Sequence, residues 1–291
     1  MNEEAGTPAR KGHVWLAMLA CGWIVVLFAG VVVWQLAAGE VTLSDITFER
    51  MLPFLLAGFA AQFVDSAIGM GFGVISSGLL LSLGIPPQRS TAIVHGVESF
   101  GSGVSAISHI WLGNVDWGLF VRLVVPGVLG AIVGAALISW VSTQVARPVV
   151  FGYLAVIGAV LLYRALATGM REKRQTKAIG PLGFIGGVVD VAGGGGWGPV
   201  VGSTLLLRRA APRDVVGTVN VSEFFVTVVA TALLVGYFGV TVVGPAFLGL
   251  LIGAVVAAPF GAMLTSRLSP RVLLMAIGTV LIATGVAGML L

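Results

Sequence analysis

Polar or turn-rich breaks at 39–51, 84–90, 113–117, 142–147, 169–180, 208–214, 238–241 and 266–271 divide the chain into long apolar stretches. The stretches run near 14–38, 52–83, 91–112, 118–141, 148–168, 181–207, 215–237, 242–265 and 272–290. All but 52–83 and 181–207 have the length of one helical crossing of a hydrocarbon layer about 30 Å thick. Segment 52–83 has 32 residues. As one helix at ~1.5 Å per residue it would be about 48 Å long, and it carries GMGFG near its middle. Segment 181–207 carries AGGGGWGP at 192–199. Gly and Pro at this density interrupt a helix, so both segments are expected to break there. Lipid cannot satisfy the backbone groups that a break frees, so each break must face protein, water or substrate. Both are candidate sites.

Sliding the chain on itself by 125 residues aligns FVDSAIGMGFG (63–73) with VVDVAGGGGWG (188–198), and HGVESF (95–100) with NVSEFF (220–225). Positions 58–100 give 14 identities in 43, among them Asp65/Asp190, Gly69/Gly194, Gly71/Gly196, Gly73/Gly198, Pro87/Pro212 and Glu98/Glu223. The chain is an internal duplication, as transporter folds often are. The distribution of Lys and Arg orients the halves, because cytoplasmic loops carry the excess. If each broken segment crosses once, nine of these residues fall inside and seven outside, with Arg171, Lys173, Arg174 and Lys177 on the wrong side. If each is a re-entrant hairpin, thirteen fall inside and three outside (Arg50, Arg89, Arg147). The expected fold is therefore an all-α polytopic membrane protein of two inverted repeats, with about seven spanning helices and two Gly-rich hairpins. Its expected parts are 1–51 (tail, first helix, outer loop), 52–168 (first repeat), 169–180 (basic cytoplasmic linker) and 181–291 (second repeat). The N-terminus is expected in the cytoplasm and the chain in the cell membrane.

Composition agrees. Residues of the AVILMFWYC set make up 57% and charged residues 10%, against about 25% charged in soluble domains. The net charge of +4 reflects basic loops and no aromatic-basic face, which speaks against nucleic-acid binding. Arg10 and Lys11 precede an apolar run from His13 to Ala38 that is far longer than the ~7–15 residues of a signal h-region, so it is read as a retained helix. The single Cys21 excludes an internal disulfide and reads as a small buried hydrophobe.

Asp65 and Asp190 precede the glycine breaks, and Glu98 and Glu223 lie in the following apolar helices with no Lys or Arg near them in sequence. An intramembrane carboxylate costs ~2.5–3.5 kcal/mol on insertion scales and ordinarily faces a cavity or a partner. The aspartates also suit capping of the half-helices that follow, and each glutamate also reads as a protonated acid on a carbonyl. Helix starts at Gly69, Gly71, Gly194, Gly195 and Gly196 would turn N–H groups and a positive dipole end inward, where they bind anions. An anion beside carboxylates is tolerated only if at least one is protonated, which gives proton coupling a physical reason. Glu98 or Glu223 is the expected carrier. His95 and Asn220 occupy equivalent places three residues before the glutamates, able to orient them or to donate to substrate, and His95 is a candidate relay. Ser66, with Gln62, Thr91, Thr218 and Ser222, is a lesser polar candidate, more often engaged in helix packing. Trp197 stands where the first half has Phe72 and serves as an aromatic gate or as packing. No metal-ligand spacing, nucleophile elbow, Walker loop or dinucleotide fingerprint stands out, so no cofactor, metal or catalytic residue is assigned.

The repeated D-x-x-x-G-x-G-x-G and V-x-x-x-E-x-F patterns resemble the TauE/SafE sulfite-exporter family over about residues 52–290. The resemblance implies a permease for sulfite, sulfonates or related small oxyanions. It places Asp65, Gly69, Gly71, Glu98, Asp190, Gly194, Gly196, Trp197, Asn220 and Glu223 at the family's patterned positions. The first half departs from the richer glycine run of the second, having Ile68 and Met70 where the second has Gly193 and Gly195. The partners expected are a small anion, protons and the bilayer, with oligomeric state open between monomer and homodimer. Competing readings are a cation or metal transporter that uses the carboxylates as ligands, an ion channel, and an intramembrane aspartyl enzyme.

Overall fold

The computed structural model describes residues 46–138, 143–166, 178–208, 212–238, 243–265 and 269–290, with isolated positions between 22 and 38. Most of the first apolar run and its following loop, Cys21 and most of the basic linker lie outside the described residues. Ten α-helices follow in order among the described residues: α1 (Phe48–Ile68), α2 (Phe72–Ser82), α3 (Pro87–Leu112), α4 (Trp117–Ile138), α5 (Thr143–Leu166), α6 (Ile179–Gly193), α7 (Ser203–Arg208), α8 (Pro212–Phe238), α9 (Pro245–Thr265) and α10 (Pro270–Leu290). A π-helical turn, Gly198–Gly202, leads into α7. No strand occurs among the described residues, and α1, α4, α8 and α9 are each long and apolar enough to cross a membrane. The first hairpin starts earlier than its hydropathy suggests. Thr47 caps α1 by accepting from the Arg50 N–H (3.4 Å), and Pro53 lies in the second turn of the helix.

The bundle is apolar outside and encloses a group of buried polar side chains within an apolar core. On α4 the exposed Val121, Val125, Leu129 and Ile132 recur at helical spacing, while Leu119, Leu123, Gly127, Ala131 and Gly134 are buried. Gln62, Asp65, His95, Glu98, His109, Asp190, Asn220 and Glu223 are buried at 2% exposure or less. Such a surface is stable only against lipid.

Equivalent helices of the two halves run in opposite directions. Along α3 and α8, Ser99 meets Thr231, Ser105 meets Asn220 and Asn114 meets Arg213, so one sequence rises as the other falls. Along α5 and α10, Gly158 faces Gly278 while Ala155 faces Gly285. The repeats are inverted. Two further close pairs, α1/α9 and α4/α6, are parallel and join one half to the other. Gly249, Gly253 and Gly261 of α9 face Met51, Leu55 and Phe63 of α1 in turn, and Gly183 and Gly187 of α6 lie against Leu123 and Gly127 of α4. At each of these glycines a Cβ would strike the partner's backbone, which is how small residues let membrane helices approach.

The broken segments are hairpins. Helix α2 runs back along α3, since Gly73 lies beside Glu98 while Ser77 and Thr91 both lie against Gly194. Helix α3 follows α1, with Gln62 beside Gly101 and Ser66 beside His109. The chain thus enters on α1, turns at 69–71 and returns on α2 to the side from which α3 starts.

Candidate functional site

Both turns are built alike. Helix α1 ends at Gly69 (φ 78°), whose N–H donates to the Asp65 carbonyl, and α6 ends at Gly194 (φ 73°), whose N–H donates to the Asp190 carbonyl. Gly71 and Gly195 follow at φ 133° and 129°, conformations that only glycine adopts readily. The chain reverses within three residues and the next helix begins. The two turns then meet in the middle of the bundle, where Gly73 packs on Gly195 backbone to backbone and Gly198 packs on Met70. Ser77 also donates to the Gly194 carbonyl.

The aspartates close the turns. Asp190 Oδ1 accepts from the N–H groups of Gly196 (2.8 Å) and Trp197 (2.9 Å), and Asp65 Oδ1 accepts from Phe72 N–H (3.4 Å). Glu98 reaches the backbone of Gly73. The first N–H groups of the returning limbs are therefore already engaged by the protein's own carboxylates. This modifies the expectation of two bare helix starts offered to an anion, and agrees with the capping role that suits the aspartates. Gln62 donates to Ser66 Oγ (3.0 Å) and reaches Asp65 Oδ2 (3.5 Å).

The second oxygens and the histidine point elsewhere. His95 Nδ1 is 3.3 Å from Glu98 Oε2 and 3.8 Å from Asp190 Oδ2, so the cluster spans both halves. His95 Nδ1, Glu98 Oε2 and Asp190 Oδ2 have only these approaches to one another, and His95 Nε2, Glu223 Oε2 and Gln62 Oε1 are buried without a hydrogen-bond partner. Among the described residues no Lys or Arg forms an ion pair with Asp65, Glu98, Asp190 or Glu223. Buried polar atoms are rarely left unpaired, and a concentration of them marks a place for a proton, an ion or water. One donor atom from each of His95, Glu98 and Asp190 falls within 4.8 Å of the others, an arrangement a metal ion could draw together.

The other residues divide clearly. Asn220, equivalent to His95, is tied at both ends of its amide: Oδ1 accepts from Ser105 (2.7 Å) and Nδ2 donates to the Val216 carbonyl (3.0 Å). Asn220 holds α8 on α3. Trp197 is fully buried, its indole N–H donates to the Val219 carbonyl (3.2 Å), and its ring fills space left by Gly127 and Gly186. Those contacts are those of packing. Thr218 accepts from Asp116 N–H (2.8 Å) and Ser222 bonds back to the Thr218 carbonyl (2.8 Å), both away from the cluster. Sequence reasoning passed over His109, which is buried at the end of α3 with Nε2 3.0 Å from the Ser66 carbonyl. The lack of a polar residue at the equivalent Leu234 was the one signal that it serves one half only.

An inverted pair of broken helices that meet at a buried ionisable cluster, inside an otherwise apolar bundle, defines a multi-pass membrane transporter rather than an enzyme. The family model described as "Sulfite exporter TauE/SafE" matches residues 54–288, and the chain belongs to that family. It is 37% identical over 238 residues to "Probable membrane transporter protein YtnM" of Bacillus subtilis (strain 168), a match covering 79% of each chain. It is 29% identical over 167 residues to "Probable membrane transporter protein ORF9" of Sinorhizobium sp, covering 57% of this chain and 62% of that one. It is 31% identical over 104 residues to "Sulfite exporter TauE/SafE family protein 3" of Arabidopsis thaliana, covering 36% and 20%. No solved structure matches it.

Proposed function

We propose that the chain is a proton-coupled, alternating-access carrier of a small anion, most directly sulfite or an organosulfonate, in the cell membrane with its N-terminus in the cytoplasm. The observation that carries this reading is the crossing of the two hairpins at Gly73 and Gly195 beside His95, Glu98, Asp190 and Glu223, a buried group that pairs within itself and leaves His95 Nε2 and Glu223 Oε2 without a hydrogen-bond partner. An anion entering there meets carboxylates and no fixed cation. Protons must accompany it to keep the charge tolerable, and Glu98 or Glu223 carries them. The repeats at 52–168 and 181–291, joined by the basic linker at 169–180, supply the two arrangements that alternate. The choice of sulfite or an organosulfonate is supported by the description of the family as sulfite exporters and by the name of the Arabidopsis thaliana relative. The orientation rests on the thirteen-to-three distribution of Lys and Arg.

The test is thermal stabilisation of the purified protein by sulfite, sulfate, sulfoacetate and taurine at about pH 5.5 and about pH 7.5, because a ligand of the native state raises its apparent stability. Sulfite itself titrates in this interval, so sulfate and sulfoacetate separate protonation of the protein from protonation of the ligand. Stabilisation stronger at the lower pH and lost in Glu98→Gln or Glu223→Gln is expected. No shift with any anion at either pH would refute the reading.

A second reading, carriage of a cation, is favoured by one observation, the His95, Glu98 and Asp190 donors within 4.8 Å of one another. Imidazole with two carboxylates suits a first-row divalent ion.

A further inference from the structure

The carbonyls that the first turn frees are held from one side of the protein only. His109 Nε2 donates to the Ser66 carbonyl (3.0 Å), and Thr265 Oγ1 lies 3.1 Å from the same oxygen and 2.9 Å from that of Ala67. Nε2 must carry the proton, so Nδ1 accepts, and its donor is Asn114 Nδ2 (3.1 Å). Asn114 Oδ1 in turn accepts from Arg213 Nε, and Arg213 Nη2 donates to the Leu112 carbonyl (2.6 Å). Every link has one donor and one acceptor. The chain of bonds runs from the exposed guanidinium of Arg213, at the start of α8, through the α3–α4 turn to the tip of the first hairpin, next to Asp65 and Gly69.

The inverted repeat has no second copy of it. The positions equivalent to His109, Asn114, Arg213 and Thr265 are Leu234, Gly239, Gln88 and Trp140. The first two offer no side-chain hydrogen bond, so the relay cannot be rebuilt on the opposite side. In an inverted repeat the two access states are related by exchanging the conformations of the halves. A bond chain present on one side alone makes the two states unequal in energy.

The geometry points to Arg213, Asn114 and His109 as a one-sided positioning relay that clamps the first hairpin and closes the path on the Arg213 face. The second hairpin is held at its tip by Ser77 of the first hairpin and by Asp190, but no relay from a loop reaches it among the described residues, and it is the one that yields first. This rests on the alternating-access reading but not on which ion is carried.

Hydrogen exchange of the full chain in lipid nanodiscs tests it, by comparing residues 62–74 with residues 187–199. In the parent the first peptide exchanges more slowly. Arg213→Ala leaves the buried Asn114 Oδ1 without its donor, and His109→Leu leaves the Ser66 carbonyl with the shared Thr265 hydroxyl alone; each should speed exchange of the first peptide at least about fivefold while the second stays within about twofold. His109→Gln, whose amide can donate to Ser66 and accept from Asn114, should restore the parent rate, which a merely space-filling histidine would not require. With sulfite as the probe, Arg213→Ala should change half-saturation measured from the Arg213 face and leave that from the other face alone. Equal acceleration of both peptides, no acceleration, or rescue by leucine as well as glutamine would overturn the proposal. If His109→Leu does not fold, the Arg213→Ala and His109→Gln pair decides it.

Discussion

The contact between the two glycine turns can be tested with three alanines. Gly195 has φ 129°, and a Cβ there would strike the backbone of Gly73 and Val74. Gly84, in the loop after α2, has φ 78° but nothing within 4 Å of its Cβ position. Gly236, near the end of α8, has neither an unusual φ nor a neighbour within 4 Å. A side chain forced into a glycine-only conformation costs ~1–3 kcal/mol, and driving a methyl group into packed backbone adds ~1–3 kcal/mol. Gly195→Ala should therefore lose roughly 2–6 kcal/mol, Gly84→Ala about 1–2 kcal/mol, and Gly236→Ala should be neutral or better by up to ~1 kcal/mol. At ~2–4 °C per kcal/mol for a chain of this size, Gly195→Ala falls by on the order of 10 °C. The assay is thermal unfolding of the three purified variants in one detergent. Should Gly195→Ala melt together with Gly84→Ala, the backbones of the two hairpins do not touch and the central crossing is wrong.

Asp190 accepts two short backbone hydrogen bonds and Asp65 one long one, so Asp190→Ala should be the less stable variant by roughly 1–3 kcal/mol, measured by the same melts. Trp197→Ala removes the largest fully buried side chain and leaves the Val219 carbonyl without its indole partner. It should cost ~3–5 kcal/mol, and Trp197→Phe less; an unchanged melting point for the alanine variant would make the ring a mobile gate instead of a fixed wall. Addition of Zn²⁺ or Mn²⁺ should leave the melting point alone if the His95 cluster serves protons, whereas stabilisation that His95→Asn abolishes would move the assignment to cation carriage.

Much of this arrangement is legible in the chain because membrane insertion acts on local properties. Segment length against bilayer thickness, glycine density at 69–73 and 193–198, and the side on which Arg and Lys fall are all readable without tertiary structure. Together they give hairpins instead of crossings, and the antiparallel α3 and α8 bear that out. The repeat also located Asp65, Asp190, Glu98 and Glu223, which fold to one place. Equivalence in sequence did not predict equivalence in role. His95 and Asn220 align, yet His95 faces the carboxylates of Glu98 and Asp190 and keeps Nε2 without a partner; Asn220 spends both ends of its amide on α3 and on its own helix. The difference lies in Ser105, which reaches Asn220 from a helix more than a hundred residues away. His109 was invisible for the same reason, since its partners Ser66, Asn114 and Arg213 come together only in the fold.

The packing also separates the repeats as sequence units from the units that can move. Helix α1 belongs to the first repeat and α9 to the second, yet their backbones approach so closely that Gly249, Gly253 and Gly261 admit no side chain. Helices α4 and α6 repeat that relation across the pseudo-two-fold. Pulling residues 52–168 away from residues 181–291 as blocks would open both of these interfaces and lose dense packing along two full helices. The antiparallel α3 and α8, which carry His95, Glu98 and Glu223, are joined across the site by the lighter contacts of Ser99 with Thr231 and Ser105 with Asn220. Hydroxyl contacts of this kind can be exchanged for water or substrate at small cost. On the carrier reading, the motion that keeps both dense interfaces is a shift of the α1/α9 pair against the α4/α6 pair over the α3/α8 crossing, each pair drawing one helix from each repeat. Each pair carries one hairpin, so such a shift parts Gly73 from Gly195 and moves Asp190 relative to His95 and Glu98, the change a carrier needs between holding its ion and releasing it.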